Sequence, residues 1–368
     1  MRRSMWNALT QVKLWPYPNT VSTHRMIRLT VFIALGISLL LAVSWRFSNL
    51  VIYPKTRSVA HSYAYQVEQN HLNPDAFDAL PKEEIRIRSP FGYELFGLYV
   101  PSPGAKSTVI IAHGITATAY HSVKYLWAFR NRGFNALLIE HRNHGRSGGT
   151  NTTFGFYEKE DMRAWVDYLH AVHGSDVLIG THGESMGAAI ALQQASIDPR
   201  VAFVVADCAF ASARGEFAHR LKEEYGLPPF PLVPLSSLIT ELRTGFSYKE
   251  AAPIQGIGEL TIPILYIHGA EDTYVPPEAS IRLYESKPEP KRIWLAPGAG
   301  HAESQPTHPE TYERLIGDFL IEHKLIRASS VKANKLRSTH STVRTLSSGD
   351  ASRPRCESHP IPRSTSAR

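Results

Sequence analysis

Residues 177–195 read VLIGTHGESMGAAIALQQA. The apolar run 177–181 reads as a strand and the small-residue stretch 186–195 as a helix. Between them lies Gly183-Glu184-Ser185-Met186-Gly187, a G-x-S-x-G pattern. Glycines around a serine at such a junction relieve crowding in a sharp strand-to-helix turn, which pushes the hydroxyl into the open at the end of a sheet. The five residues alone are a weak signal, and their place between strand and helix gives them meaning. Ala188 and Ala189 let the helix lie close against the sheet.

Working outward, short β-branched runs alternate with longer amphipathic ones from residue 84 onward, the pattern of an α/β domain with a mostly parallel sheet flanked by helices. Eight strands are expected, at 84–88, 93–99, 107–113, 136–140, 176–181, 201–206, 262–268 and 292–295. Ser89-Pro90-Phe91-Gly92 suits a hairpin turn, making the first pair antiparallel at one edge. Helices are expected at 119–132, 157–173, 186–197, 278–285 and 309–323. Residues 211–259 break the alternation with Pro228, Pro229, Pro231 and Pro234, and a small cap after the sixth strand or an irregular connection fits there.

A serine hydroxyl at neutral pH needs a base, and the base needs an orienting acid. After a nucleophile elbow the order is Ser, Asp or Glu, then His. Asp272 follows the seventh strand by a loop spacing that suits the acid; Glu271 and Asp207 are rivals. His301, after Gly298-Ala299-Gly300, ends the last strand and is the candidate base among 17 histidines, with His308 a turn into the next helix. The oxyanion needs two backbone N–H donors. Met186 supplies one, and Ile115 or Thr116, after the third strand, the other. His141 and His144, three apart, lack the carboxylate or cysteine that would complete a metal set.

The 368 residues are 43% hydrophobic and 20% charged, a globular balance. The net charge of +7 resides in the segment 327–368, where Asp350 and Glu357 oppose an excess of Lys and Arg. The folded part is therefore neutral, and a nucleic-acid surface is excluded. That tail, rich in Ser, Thr, Arg and Pro, is expected to be disordered. Two cysteines, Cys208 and Cys356, build no disulfide framework. No cofactor is implied.

Residues 29–45, LTVFIALGISLLLAVSW, form an uncharged run between Arg28 and Arg46, after a polar segment 1–28. As a helix the run covers about 25 Å, close to a hydrocarbon core. A spanning anchor and a cleaved signal peptide ending near Ala42-Val43-Ser44 both fit, and the segment lengths favour the anchor. Arg2, Arg3, Lys13, Arg25 and Arg28 precede the run, a bias toward an inside N-terminus and an extracytoplasmic domain. A buried core helix is the plain alternative. Residues 46–83 read as a polar juxtamembrane connector without periodicity, helical near 62–68.

His113-Gly114, Arg142-Asn143-His144-Gly145-Arg146-Ser147, the Ser185 elbow, His268-Gly269 with Asp272, and Gly300-His301 fall in one order over 84–326. In this the chain resembles the α/β-hydrolase superfamily, and within it bacterial membrane-linked serine hydrolases akin to monoglyceride lipases and serine aminopeptidase-like proteins. The resemblance implies an α/β-hydrolase fold and cleavage of an ester or related acyl bond in a small-molecule or lipid-like substrate. Where the family pattern has Asp and Gly, this chain has His141 and Asn143, and Asn tolerates the left-handed turn. An aminopeptidase-like reading needs an acidic anchor for a substrate amine, for which Glu184 is a candidate; thioester cleavage and an inactive, tethered binding domain are further alternatives.

Overall fold

The computed structural model describes residues 23–327. The expected polar segment up to residue 22 and the basic tail from residue 328 lie outside the described residues. In chain order, three helices, α1 (Thr23–Ile52), α2 (Val59–Glu68) and α3 (Pro74–Asp78), precede the strands β1 (Glu83–Arg88), β2 (Glu94–Val100) and β3 (Ser107–Ala112). Then come α4 (Val123–Arg130), β4 (Phe134–Ile139), α5 (Glu158–His173), β5 (Leu178–Glu184), α6 (Met186–Ala195) and β6 (Val201–Asp207). The chain continues through α7 (Ala213–Tyr225), α8 (Pro229–Thr244), β7 (Ile264–Gly269), α9 (Glu278–Ser286), β8 (Lys291–Ala296), α10 (Ser304–Thr307) and α11 (Pro309–Glu322).

The eight strands form one sheet in the order β1-β2-β4-β3-β5-β6-β7-β8. β2 runs antiparallel to β1 and β4, and every other pairing is parallel. Fully buried runs such as FNALLI in β4 explain why those strands lie at the centre: a parallel sheet is covered on both faces, so its strands need no polar side. Met162, Trp165 and Leu169 of α5, with the alanines of α6, cover one face. Phe129 of α4 and Tyr312, Ile316 and Phe319 of α11 cover the other. Register aligns Ala112 with Gly183 and Gly183 with Ala206, so the loops after β3, β5 and β6 open at one edge of the sheet.

The N-terminal region differs from its expectation. The helix does not stop at Trp45 but runs on to Ile52. Ser44, Phe47, Ser48, Val51 and Ile52 are buried, a spacing of i, i+3, i+4, i+7 and i+8 that defines one helical face. The connector therefore has periodicity after all, obscured because serine and arginine interrupt the apolar residues. Leu72 and Phe77 are buried in the core as well, so the folded body begins ahead of residue 84. Upstream, an apolar 18-residue window of mean hydropathy 2.4 has none of its residues buried, which removes the core-helix alternative. Between β6 and β7, the proline-rich stretch folds as α7 and α8 followed by two short 3-10 turns, with Pro234 inside α8.

Candidate active site

Ser185 takes φ 54° and ψ −116°, a left-sided conformation that costs a non-glycine residue about 1–3 kcal/mol. The neighbouring glycines are required by space rather than by φ. A Cβ on Gly183 would lie 2.3 Å from the carbonyl carbon of Gly187, and one on Gly187 would lie 2.3 Å from the Ala112 oxygen. The Ser185 amide donates to the Asp207 carbonyl at 2.8 Å, tying the elbow to the end of β6.

Loops after β7 and β8 bring the other two candidates to this serine. His301 Nε2 lies 3.0 Å from Ser185 Oγ, and its Nδ1 lies 2.7 Å from Asp272 Oδ2. An Nδ1–H donated to the carboxylate leaves Nε2 as acceptor for the serine proton. Asp272 Oδ1 accepts the amides of Tyr274 and Val275, both at 2.9 Å, and His268 Nε2 approaches Oδ2 at 3.1 Å. Burial alone would raise the Asp272 carboxyl, but the bonds from His268 and His301 and the Val275 amide outweigh it and hold it well below the usual range. His268, part of the sequence motif but given no role by it, is buried at the end of β7 and bonds Ser280 Oγ and the Val275 carbonyl.

The rivals are elsewhere engaged. Glu271 is exposed. The Asp207 carboxylate accepts from Tyr312 at 3.1 Å and Tyr125 at 3.4 Å, and His308 Nε2 bonds the Pro297 carbonyl. Thr116 is removed as an oxyanion donor, because its amide already donates to His144 Nε2 at 3.1 Å; Ile115 and Met186 stay the candidates. The same bond, with Nδ1 on the Arg142 carbonyl, uses both nitrogens of His144 and leaves no His141–His144 ligand pair. Among the described residues, one group of metal-ligating types is compact: Cys208, Asp272 and His301, with ligand atoms within 4.8 Å of one another. Asp272 and His301 are committed to each other there, and burial pushes the Cys208 thiol up.

Glu184, considered as an anchor for a substrate amine, already has a cationic and a hydroxyl partner. It is buried beneath the elbow, 2.7 Å from Lys124 Nζ and 2.5 Å from the Tyr125 hydroxyl. Against the upward push of burial, Lys124 and the Tyr125 bond bring its carboxyl down to about 2. Lys124 also donates to the Ala302 carbonyl, next to His301, at 2.9 Å. No local sequence signal marks this lysine, because its partner is 60 residues away.

Ser185 lines two cavities. One, of about 610 Å³, is polar and bordered by Arg57, Gln66, His71, His121, Lys124 and Glu184. The other, of about 300 Å³, is apolar and bordered by Phe47, Val51, Phe154, Met186, Phe210 and Phe217. Phe47 and Val51 come from α1, so the N-terminal helix forms part of the pocket wall.

A strained serine at a strand-to-helix elbow, within reach of an imidazole itself bonded to a carboxylate, on an eight-stranded sheet of this order, defines the class of hydrolases. A family model described as the alpha/beta hydrolase family matches residues 109–315, and the chain belongs to that family. An uncharacterised protein of Bacillus subtilis is 34% identical over 294 residues, covering 79% of this chain and 96% of its own. An uncharacterised membrane protein of Saccharomyces cerevisiae is 24% identical, over 77% of this chain and 93% of its own. Among solved structures, an esterase of Pyrococcus furiosus is similar with a TM-score of 0.57 and 26% identity, covering 68% of this chain and 94% of that one.

Proposed function

We propose that this hydrolase is a membrane-anchored serine esterase whose substrate joins an apolar acyl chain to a polar leaving group. The observation that carries the reading is the position of Ser185 on the boundary between an apolar and a polar cavity. An ester bond spanning that boundary has its carbonyl beside the serine, its acyl chain among Phe47, Phe154 and Phe217, and its alcohol among Gln66, His71 and Arg57.

In this reading Ser185 Oγ attacks the carbonyl carbon while His301 Nε2 takes the hydroxyl proton, and the amides of Met186 and Ile115 receive the oxyanion. The tetrahedral intermediate collapses with loss of the alcohol, which leaves with the proton from His301, and the acyl group stays on Ser185. Water, deprotonated by the same imidazole, then attacks the acyl-enzyme and releases the acid. Asp272 holds the ring and balances the imidazolium. Glu184, ionised but already paired with Lys124, argues against an aminopeptidase, which needs a free carboxylate for the substrate amine.

The exposed apolar length of α1 supports a bilayer anchor, the yeast relative is itself described as a membrane protein, and the archaeal structure is of an esterase. With α1 in the bilayer, residues 44–52 lie where the helix leaves it, and α7, which lines the apolar cavity through Phe217 and Arg220, forms a cap there with α8 packed behind it. The basic residues on the N-terminal side of the apolar run favour an extracytoplasmic domain. The test is labelling of the purified full chain with a fluorophosphonate probe, alongside p-nitrophenyl esters and aminoacyl-nitroanilides. Labelling lost in Ser185→Ala, with turnover of the esters only, is expected. Equal labelling of Ser185→Ala, or cleavage of the anilides alone, would sink the reading.

A further inference from the structure

A third cavity, of about 520 Å³, lies apart from the serine and shares no lining residue with either cavity there. Arg142, Arg243, Gly149, Thr150 and Tyr157 are among its walls, and no acidic side chain is. Arg142 is 6% exposed, and neither its Nε nor its Nη1 has a hydrogen-bond partner among the described residues. A guanidinium shut away from water with unfilled donors is costly unless an acceptor arrives. The carboxylate within electrostatic reach, Asp161, has both oxygens taken, by the Ser89 and Tyr93 hydroxyls at 2.6 Å each.

Both arginines are held face-on by aromatic rings. Arg142 lies 4.6 Å from the centre of the Tyr157 ring and 5.1 Å from that of Tyr93. Arg243 lies 4.2 Å from Trp45 and 5.5 Å from Tyr53, and donates to Ser48 Oγ at 3.1 Å. A guanidinium held over aromatic rings keeps its charge for an anion. Gly149, at φ 90°, lets the loop close on Arg142, since a Cβ there would approach the arginine side chain to 3.0 Å. Trp45 and Tyr53 flank the end of α1, so the cavity sits at the foot of the apolar helix, where a bilayer presents its phosphates.

We infer that this cavity is a phosphate-binding site, in which the guanidinium groups of Arg142 and Arg243 hold the phosphate of an anionic lipid head group or of a free phosphate compound. The site stands independently of the esterase reading, because none of its residues belongs to the serine's surroundings. The test is calorimetric titration of the full chain in uncharged detergent micelles, first with inorganic phosphate, then with ether-linked phosphatidylglycerol, which has no ester to cleave. Saturable binding is expected, weakened about tenfold or more in Arg243→Gln, as for loss of a charge-assisted bond. Tighter binding of the lipid assigns the head group as the source; binding of phosphate alone assigns the free compound; both support the site. Arg142→Gln should weaken binding in the same direction, and if that variant does not fold, the half-buried Arg243 carries the comparison. No heat with either probe, or one affinity in the wild type and in Arg243→Gln, overturns the inference.

Discussion

The hydroxyls of Ser48 and Thr240, 192 positions apart, share a buried hydrogen bond of 2.8 Å. It fastens the lower end of α1 to α8, and Thr240 Oγ1 extends the contact by donating to the Tyr248 hydroxyl at 3.1 Å. The helix that offers an apolar surface upstream is thus built into the hydrolase body downstream. The exposed apolar length and the pocket wall are two ends of one helix.

That arrangement predicts a stability cost at a position usually dismissed as linker. Ile52 is fully buried in the core, and Ile52→Ala should cost about 2–5 kcal/mol, as other large-to-small core changes do. Chemical denaturation of the detergent-solubilised chain measures it. A loss within a few tenths of a kcal/mol would mean that the helix end is not integrated. Phe47→Ala, which opens the apolar cavity, should raise the preference for longer p-nitrophenyl esters over acetate.

Asp272→Asn keeps the shape of the side chain but presents an amide to His301 Nδ1, favouring the wrong tautomer. Turnover should fall by about 10⁴-fold with little change in folding, by analogy with the same exchange in a serine protease triad. Stopped or initial-rate assays on a p-nitrophenyl ester read this. A comparable loss in Glu271→Gln would reassign the acid.

The buried pair of Lys124 and Glu184 should behave asymmetrically. Lys124→Met strands the carboxylate and should destabilise by about 3–5 kcal/mol, while the double variant Lys124→Met with Glu184→Gln should recover much of that loss. A double-mutant cycle in denaturant supplies the comparison; additive effects would show that the pair is not coupled.

Glu216, at the apolar cavity, has its carboxyl pushed up to about 8 from an ordinary 4.5, by burial first, against the pull of Arg220. A raised folded value means that the folded state binds the proton more tightly than the unfolded one. Its contribution to stability is therefore complete below about 4.5 and is lost as pH rises through 8. Melting temperature against pH should decline less between pH 5 and about 8 in Glu216→Gln than in the parent. Parallel curves for the two proteins would remove Glu216 from this dependence.

Much of the candidate site is legible because its parts sit at strand ends, and strands announce themselves by composition. Ser185 lies between an apolar run and a small-residue run, and His301 follows a glycine-rich exit from the last strand. Boundaries were less legible: β5 continues through His182 to Glu184, where polar residues are buried between neighbouring strands. The ion pair of Glu184 was hidden as well, since Lys124 lies far off along the chain. A carboxylate next to a nucleophile reads as a binding group until Lys124 is seen against it.

The amino-acid sequence by itself determined the alternation of strand and helix, the order of the serine, aspartate and histidine, and an apolar N-terminal run, since each depends on neighbours along the chain. Only the tertiary structure decided that α1 continues into the core, that Thr116 is spent on His144, and that two arginines held over aromatic rings share a cavity. Those facts depend on contacts between residues far apart in the chain, such as Ser48 and Thr240, which local periodicity does not encode.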